Sequence, residues 1–309
     1  MNASQEIELA RQWLDAASAG DLTSAWAASD LLRLARIDYS DRERWCRPLW
    51  DGSPIDNRNV LIRCWRGLGD AIHFIRYAPL VRSRASSLAV EAPRALIPLF
   101  RTVQGIDRLV ELDRPEFAAA DYVEIEVTEL PYVFRTTLDT IPCTIPYLDM
   151  PGHPLQTEKP QLTIGLCWCG GSYDLRRSMH LSDLEPLSVL SETSFFQLQR
   201  GEALREISGA SFPFRNPTDC SMDVCRTAAL IKSLDLIVSV DTMVAHLAGA
   251  LGKKVYLLLQ ADSDWRWLRN RDDSPWYPSV NLIRQSQAGN WTPVVTKLVE
   301  NLSSQDLRL

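Results

Sequence analysis

The sequence lacks the features of membrane-spanning and secreted proteins. None of its 309 residues belong to an uninterrupted apolar run of about 18, so we expect no membrane-spanning helix. The first 21 residues are amphipathic and charged, without the apolar core of a signal peptide. The seven cysteines are irregularly spaced and form no C-x-x-C pair, and Cys167 and Cys169 are expected to be packed thiols rather than metal ligands. We therefore expect a reduced, cytoplasmic protein, with peripheral contact to a membrane left open.

An excess of positive charge is also missing. The chain has 33 lysines and arginines against 39 aspartates and glutamates, which gives a net charge of -6. Proteins that bind the phosphate backbone of a nucleic acid are usually basic, so we expect no nucleic-acid partner. A local basic cluster can still bind a small phosphorylated ligand. Apolar residues at 46% and charged residues at 23% are typical of a globular protein.

Strands alternate with helices twice along the chain, at 59–137 and again at 162–260. Residues 3–36 instead have apolar positions three and four apart on both sides of Gly20, which predicts a helical hairpin. The proline-rich segment 141–154 predicts a linker. The pattern indicates an α/β protein with two Rossmann-like domains, each with a parallel sheet, facing across a cleft. The predicted divisions are 1–45 for the hairpin, 46–155 for the N-terminal domain and 156–309 for the C-terminal domain.

Three polar side chains stand where an otherwise apolar helix begins, directly after the strand at 236–240: Asp241, Thr242 and His246. Ligands of such sheets bind at the carboxyl ends of strands, and the first turn of a helix exposes N–H groups that attract anions. Thr242 and His246 are four apart and share a helix face. A carboxylate would repel a phosphate, so Asp241 is expected to cap the helix or to orient its amides. The alternative is an ordinary N-cap beside a satisfied core histidine.

A second polar group follows the first strand of the C-terminal domain. Gly170 allows backbone to approach a ligand closely, and Arg176 and Arg177 supply positive charge whose geometry matches phosphate. Gln199 and Arg200 end the next strand and are expected to project into the same cleft. The alternative for the arginine pair is a solvated surface loop.

The first domain opens with a glycine turn, Gly67-Leu68-Gly69, followed by Asp70. The turn is weak evidence for a dinucleotide site, because Ile72 occupies the position of the third glycine. Asp70 would lie at a strand-to-helix turn facing the cleft. It suits a general base or a plain N-cap.

Aromatic and basic residues are concentrated in the span 264–279, which contains three tryptophans, a tyrosine and three arginines. Such residues can frame a sugar or a nucleobase, or they can pin a loop to the core. Pinning is the preferred interpretation for Trp265 and Trp276.

Together these segments resemble the glycosyltransferase family of ADP-heptose:lipopolysaccharide heptosyltransferases, in particular its branch often fused to tetratricopeptide repeats. The matching segments run in the family's order from about residue 58 to 300: RGLGDAIHFIRYAPLV, TLDTIPCTIPYLDMP, IGLCWCGG, LRRSMHLSDLEPL, FFQLQRG, LIVSVDTMVAHLAGALGKKVYLLL and DWRWLRNRDDSPWYPSVNLIRQ. The resemblance implies a GT-B fold, with an acceptor-side N-terminal domain and a nucleotide-sugar-binding C-terminal domain. The hairpin would be what remains of a repeat region.

The resemblance also implies roles for the candidate residues. Asp241, Thr242 and His246 would contact the donor, Arg176 and Arg177 would lie near its diphosphate, and Asp70 would be the catalytic base. The implied reaction is an inverting, metal-independent transfer that needs no cofactor beyond the nucleotide-diphosphate sugar. The acceptor would be lipopolysaccharide, another glycan or a protein. A rival interpretation is a non-catalytic module that binds a nucleotide or a protein, which the unusual residues around Trp65 and Gly171 favour.

Overall fold

The computed structural model describes residues 3–34, 50–112, 122–152, 162–210, 213–215 and 223–304. The chain divides into two compact units, the first comprising Met1–Cys143 with Asp264–Arg271, the second Thr144–Ser263 with Asp272–Leu309. The predicted domain boundaries at 45/46 and 155/156 lie outside the described residues. The segment 264–271 was assigned to the C-terminal domain from the sequence, whereas its contacts group it with the first unit.

The first unit begins with the predicted helical hairpin, in which Gly20 has a φ of 87° that favours glycine at the turn. A parallel four-stranded sheet follows, with strand order β3-β2-β1-β4. The hairpin helices are α1 (Ala3–Ala19) and α2 (Leu22–Leu34). The sheet consists of β1 (Asn59–Arg63), β2 (Ser87–Ala92), β3 (Arg108–Glu111) and β4 (Tyr122–Glu126). The connecting helices are α3 (Leu68–Phe74), α4 (Ala78–Arg82), α5 (Ile97–Phe100) and α6 (Leu130–Val133).

The helices of the first unit are shorter than the sequence pattern predicts. The expected helix over 70–82 is instead α3, a 3-10 turn at 75–77, and α4. Pro79 lies in the first turn of α4, where its missing N–H is tolerated, and it cannot continue a helix from before it. Pro98 has the same position in α5. Proline placement therefore divides the amphipathic stretches into single turns.

The second unit contains a parallel five-stranded sheet with strand order β6-β5-β7-β8-β9. Its strands are β5 (Leu162–Cys167), β6 (Thr193–Gln197), β7 (Leu236–Val240), β8 (Lys254–Leu259) and β9 (Val280–Arg284). Its α-helices are α7 (Val224–Ser233), α8 (Met243–Ala250) and α9 (Thr292–Ser304). The predicted helix at 181–190 is a 3-10 helix, Leu181–Val189, because Pro186 inside it cannot donate the hydrogen bond an α-helix needs. Residues 141–152 of the predicted linker form neither α-helix nor strand.

The prediction of parallel sheets in an α/β fold is confirmed. Strands of this kind are covered on both faces and read as continuous apolar runs. In β7 all five residues are buried, and Val60, Leu61 and Ile62 of β1 are each 0% exposed. The strands were predictable because this run of apolar residues is a local property of the sequence.

Charged side chains are buried at the carboxyl end of the first sheet. Arg63 is 0% exposed and lies 2.9 Å from Glu91 and 2.8 Å from Glu124, measured between side-chain nitrogen and oxygen atoms. Glu126 is the register partner of Arg63 on the neighbouring strand and is 4% exposed. Thr128 donates its backbone N–H and its hydroxyl to one oxygen of Glu126, and the other oxygen is buried without a hydrogen-bonding partner. Burial raises the pKa of Glu126 to about 7.

Replacing Glu126 with Gln should remove a pH dependence of stability. The raised pKa means that the folded unit favours the protonated carboxyl, so this group's contribution becomes less favourable as pH rises from 4.5 through about 7. At 1.36 kcal/mol per pKa unit, the shift from 4.5 to about 7 corresponds to at most about 3–4 kcal/mol. Urea unfolding at pH 5 and pH 8 should show Glu126→Gln stabilised relative to wild type at pH 8 only. Asp139→Asn, which changes an exposed carboxylate of the same unit, is the matched control, and an unchanged pH dependence in Glu126→Gln would contradict the expectation.

Candidate active site

The start of α8 is held by the hydroxyl of Thr242. Thr242 is the N-cap residue, with extended backbone angles, and its Oγ1 accepts a hydrogen bond from the N–H of Val244 at 3.2 Å. The same oxygen lies 3.2 Å from Ser239 Oγ in β7 and 3.7 Å from Cys167 Sγ at the end of β5. Asp241 was expected to cap the helix or to orient its amides; the N-cap is Thr242 instead, because the residue directly before the helix reaches the first free N–H groups, and an orienting role for Asp241 stays a prediction. Thr242 thereby joins the helix start to the ends of two adjacent strands.

His246 is buried behind this helix start and connects two partners. Its Nδ1 lies 3.1 Å from the hydroxyl of Tyr277, and its Nε2 lies 3.8 Å from Asp241 Oδ1. The imidazole is 4% exposed. The expected contact of His246 with the donor stays a prediction; in the structure its ring lies between the Tyr277 hydroxyl and the Asp241 carboxylate. This matches the alternative interpretation of a satisfied core histidine, with Asp241, whose side chain is 13% exposed, as the group nearer to solvent.

Gly249 makes room for the aromatic ring that reaches His246. A Cβ on Gly249 would lie 2.6 Å from Cδ1 of Tyr277, closer than real contacts allow. The small residues of α8 therefore allow Tyr277 to pack against the helix and its hydroxyl to reach His246. Tyr277 itself is 0% exposed.

Gln199 organises the loop that follows β5. Its Oε1 accepts hydrogen bonds from the backbone N–H groups of Trp168 and Cys169, at 3.1 and 2.9 Å. Its Nε2 donates to the carbonyls of Cys169 and Arg200, at 3.1 and 2.8 Å. The sequence predicted a side chain projecting toward the donor, whereas Gln199 is 2% exposed and turned toward this backbone. Arg200, at the start of the following 3-10 helix, remains half-buried.

The two neighbouring arginines occupy different environments. Arg177 lies against the backbone of Gly170, where an added Cβ would come within 2.6 Å of its Nε, so the glycine is required for this packing. The Nε of Arg177 is buried without a hydrogen-bonding partner. Arg176, in contrast, has a side chain that is 72% exposed, and it pairs with Asp174 at 2.9 Å. Of the predicted pair, Arg177 is the one held at the end of β5.

The side chain of Asp174 connects this loop to the end of a third strand, β8. Besides Arg176, it accepts a hydrogen bond from Nε2 of Gln260, which follows β8, at 3.0 Å. The Arg176 side chain, followed by that of Gln260, holds the pKa of Asp174 well below its usual range. At the other end of the loop, Ser178 Oγ accepts from the N–H of Gly170 at 3.0 Å. The loop 170–178 is thus closed by a bond between its two ends and joined at its middle to the residue that follows β8.

Asp70 belongs to the first unit and lies in the first turn of α3. Its Oδ2 accepts a hydrogen bond from the N–H of Gly67 at 3.2 Å, and its Oδ1 lies 2.6 Å from Nη1 of Arg266. The N-cap residue is Gly67, and Asp70 contributes to the capping of α3 from the third helical position by accepting the Gly67 N–H. Its side chain remains 28% exposed.

Several other features bear on the site. The thiol of Cys167 is 4% exposed, and burial raises its pKa to about 11, which agrees with the predicted packed thiol. The predicted pinning by aromatic residues is also found: Trp276 is 0% exposed, and Trp265 contacts Trp13.

Within the described ranges, no group of three or more His, Cys, Asp or Glu side chains could hold a metal ion. No helix of that part of the chain is long and apolar enough to cross a membrane.

The geometry defines a class of fold that solved glycosyltransferases share. The E. coli ADP-heptose lps heptosyltransferase II superposes with a TM-score of 0.55 at 12% identity, over 80% of this chain and 98% of that one. The E. coli heptosyltransferase WaaC with ADP superposes with a TM-score of 0.51 at 12% identity, over 81% of this chain and 100% of that one. The chain therefore has the GT-B fold of the heptosyltransferases, which confirms the predicted resemblance at the level of fold.

A sequence relative is protein FlbA of Caulobacter vibrioides, which is 26% identical over 288 residues. The match covers 82% of this chain and 48% of that protein, so the chain spans about half the length of this curated relative. No family model matches the sequence.

Four residues of the site were not singled out from the sequence: Ser178, Gln260, Arg266 and Tyr277. The last two lie in the aromatic span that was interpreted as a pinned loop. Tyr277 pairs with a histidine 31 residues away and Arg266 with an aspartate 196 residues away. No local pattern signals such pairs; an arginine and a tyrosine in a tryptophan-rich loop were the only available indication.

Replacing Gly249 with Ala should destabilise the second unit. The rigid ring of Tyr277 cannot move aside as the end of an aliphatic chain could, and such overpacking typically costs about 1–3 kcal/mol. We expect a lower urea midpoint for Gly249→Ala. Gly171→Ala is the matched control, because the nearest atom to its Cβ would be Arg177 Nη2 at 3.8 Å. Equal midpoints for the two variants would mean that the Tyr277 ring has room to shift.

Proposed function

We propose that this chain is a glycosyltransferase that moves a sugar from a nucleotide-diphosphate donor to an acceptor hydroxyl, with inversion and without a divalent metal. The donor's diphosphate would bind at the carboxyl edge of the second sheet. The acceptor would be the hydroxyl of a glycan, of lipopolysaccharide or of a protein, and Asp70 of the first unit would accept its proton. The observation that supports the proposal is that the start of α8 and the Arg177 guanidinium, whose Nε is buried without a hydrogen-bonding partner, both follow strands at the carboxyl edge of the second sheet.

The start of α8 and Arg177 have complementary properties for a diphosphate. The first turn of α8 presents backbone N–H groups and the positive end of the helix dipole, of which Thr242 satisfies one N–H. The buried Nε of Arg177 still has a hydrogen bond to donate. Guanidinium groups match phosphate oxygens in geometry and keep their charge. Asp241, held by His246, would orient the sugar or the amides rather than contact phosphate, since like charges repel.

The proposed reaction is a single displacement. The acceptor oxygen forms a bond to the anomeric carbon as Asp70 takes the hydroxyl proton, and the bond from that carbon to the diphosphate oxygen breaks. The electron pair of that bond leaves with the nucleoside diphosphate, and attack opposite the leaving group inverts the anomeric centre. Negative charge grows on the leaving oxygen, where the helix start and Arg177 would stabilise it. These fixed positive groups would do what a divalent cation does in other sites.

A non-catalytic nucleotide- or protein-binding module is the second candidate. One observation favours it: the Oδ1 of Asp70 is already paired with Arg266 at 2.6 Å. The same pairing is also compatible with catalysis, because the carboxylate of Asp70 retains lone pairs that can accept a proton while Arg266 fixes its orientation. The two candidates differ in turnover.

The first experiment measures release of nucleoside diphosphate from a panel of nucleotide sugars in the presence of EDTA. We expect slow hydrolysis with at least one donor, unaffected by chelation. Asp70→Asn should lower it by about 100-fold or more, because general-base catalysis typically contributes ~10²–10⁴-fold, while nucleoside-diphosphate affinity stays unchanged. Binding without turnover across the panel would support the module, and loss of turnover in EDTA restored by magnesium would contradict metal independence.

A pair of variants compares the two arginines. Arg177→Ala should weaken nucleoside-diphosphate binding by roughly 10- to 100-fold, because hydrogen bonds to a charged group contribute about 1.5–3 kcal/mol. Arg176→Ala should change the affinity by much less, since its exposed side chain is already paired with Asp174. Isothermal titration with ADP, UDP and GDP measures both. Equal losses would show that the loop rearranges on binding and that Arg176 also reaches the diphosphate.

A further inference from the structure

The guanidinium of Arg266 binds a second carboxylate besides that of Asp70. Its Nε and Nη2 bind the two oxygens of Asp264, at 2.7 and 3.0 Å, and its Nη1 binds Asp70 at 2.6 Å. Two parallel hydrogen bonds fix the plane of a guanidinium, so the direction of Nη1 is set by Asp264. The side chain is 14% exposed, and its carbon Cζ lies 5.7 Å from the ring centre of Phe74 in α3.

The segment that carries Arg266 is anchored on the N-terminal hairpin. The ring of Trp265 meets the rings of Trp13 in α1 and Trp26 in α2 edge-on, with centroids 5.6 and 6.4 Å apart. The N–H of Arg269 donates to the carbonyl of Ser18 at 2.7 Å, and its guanidinium pairs with Asp15 at 3.0 Å. Both hairpin helices therefore contact the 3-10 turn Trp265–Trp267, which carries Arg266.

We propose that the hairpin positions Arg266, and through it the carboxylate of Asp70, for the transfer reaction; this inference rests on the proposed function. Arg266 is a positioning residue, because its contacts are with Asp264 and Asp70. The Asp70 carboxylate is held at two points, by Gly67 N–H on one oxygen and Arg266 on the other. The hairpin is then part of the catalytic apparatus rather than an appendage.

The charge balance is compatible with a working base. One guanidinium lies between two carboxylates, Asp264 and Asp70, so the three groups together carry a net negative charge. Arg266 orients Asp70 without cancelling its charge fully. A packing role alone would not need this geometry, since a lysine or an apolar side chain could fill the same space. A planar guanidinium, unlike a lysine or an apolar side chain, can bind both oxygens of Asp264 and one oxygen of Asp70, so these contacts indicate positioning rather than packing.

The first test uses Arg266→Ala and Arg266→Lys with the donor-hydrolysis assay. A misplaced catalytic group can cost about 100-fold in rate, so we expect kcat to fall to that extent in Arg266→Ala, with little recovery in Arg266→Lys. The affinity for nucleoside diphosphate should stay unchanged in both. Millimolar guanidinium or methylguanidinium should restore part of the activity of Arg266→Ala. Full activity in Arg266→Lys, or no rescue by guanidinium, would overturn the positioning role.

The second test connects the hairpin to Arg266. Trp13→Ala removes the edge contact with Trp265, whereas Leu14→Ala, the adjacent and exposed position of α1, is the matched control. We expect Trp13→Ala to lower kcat by several-fold and Leu14→Ala to leave it unchanged. In the Arg266→Ala background, Trp13→Ala should cause no further loss. Losses that multiply would show that the hairpin affects turnover by another route and would refute the connection.

A stability cycle keeps the inference testable if the wild-type protein shows no turnover, which would refute the proposed function alone. Asp70→Asn, Arg266→Ala and the double variant are compared by thermal unfolding. Coupled residues give non-additive effects, so the double variant should lose no more in Tm than the worse single variant. Trp13→Ala should reduce this coupling and Leu14→Ala should not. Additive Tm shifts would show that Arg266 does not position Asp70.

Discussion

The residues around the start of α8 supply hydrogen-bonding partners for backbone N–H groups that the helix itself cannot satisfy. A helix begins with four N–H groups that its own turns cannot satisfy. Thr242 takes one, and its hydroxyl is placed by Ser239 in β7 and Cys167 in β5. The neighbouring loop is in turn fixed by Gln199 and leaves the Nε of Arg177 unsatisfied. The start of α8 and the Arg177 guanidinium therefore both follow strands at the carboxyl edge of the second sheet.

The sequence predicted those properties that are local. Buried parallel strands are runs of apolar residues, so the two sheets and the helix start at Asp241 and Thr242 could be read directly. The side-chain directions could not. Gln199 and His246 stand at suitable positions, yet Gln199 bonds the backbone that follows β5 and His246 lies beside Tyr277, neighbours that the sequence does not reveal. Pairs such as Asp70 with Arg266 depend on the tertiary fold alone.

The side-chain amide of Gln260 supports the loop that follows β5. It binds Asp174, which also binds Arg176. The loop 170–178 is therefore supported by a contact that depends on this glutamine.

The course of the chain between its two units has a consequence for modularity. The polypeptide leaves the first unit after Cys143, returns to it for residues 264–271, and leaves again. That returning segment supplies the tryptophan on which the hairpin packs. The two halves of the chain are consequently not independent modules. A recombination event with a single crossover near residue 143 would combine the hairpin of one parent with residues 264–271 of the other. Sequence exchange among relatives is then constrained to keep Trp13, Trp26 and Trp265 together, so these three positions should be inherited as a block although they are far apart in the gene.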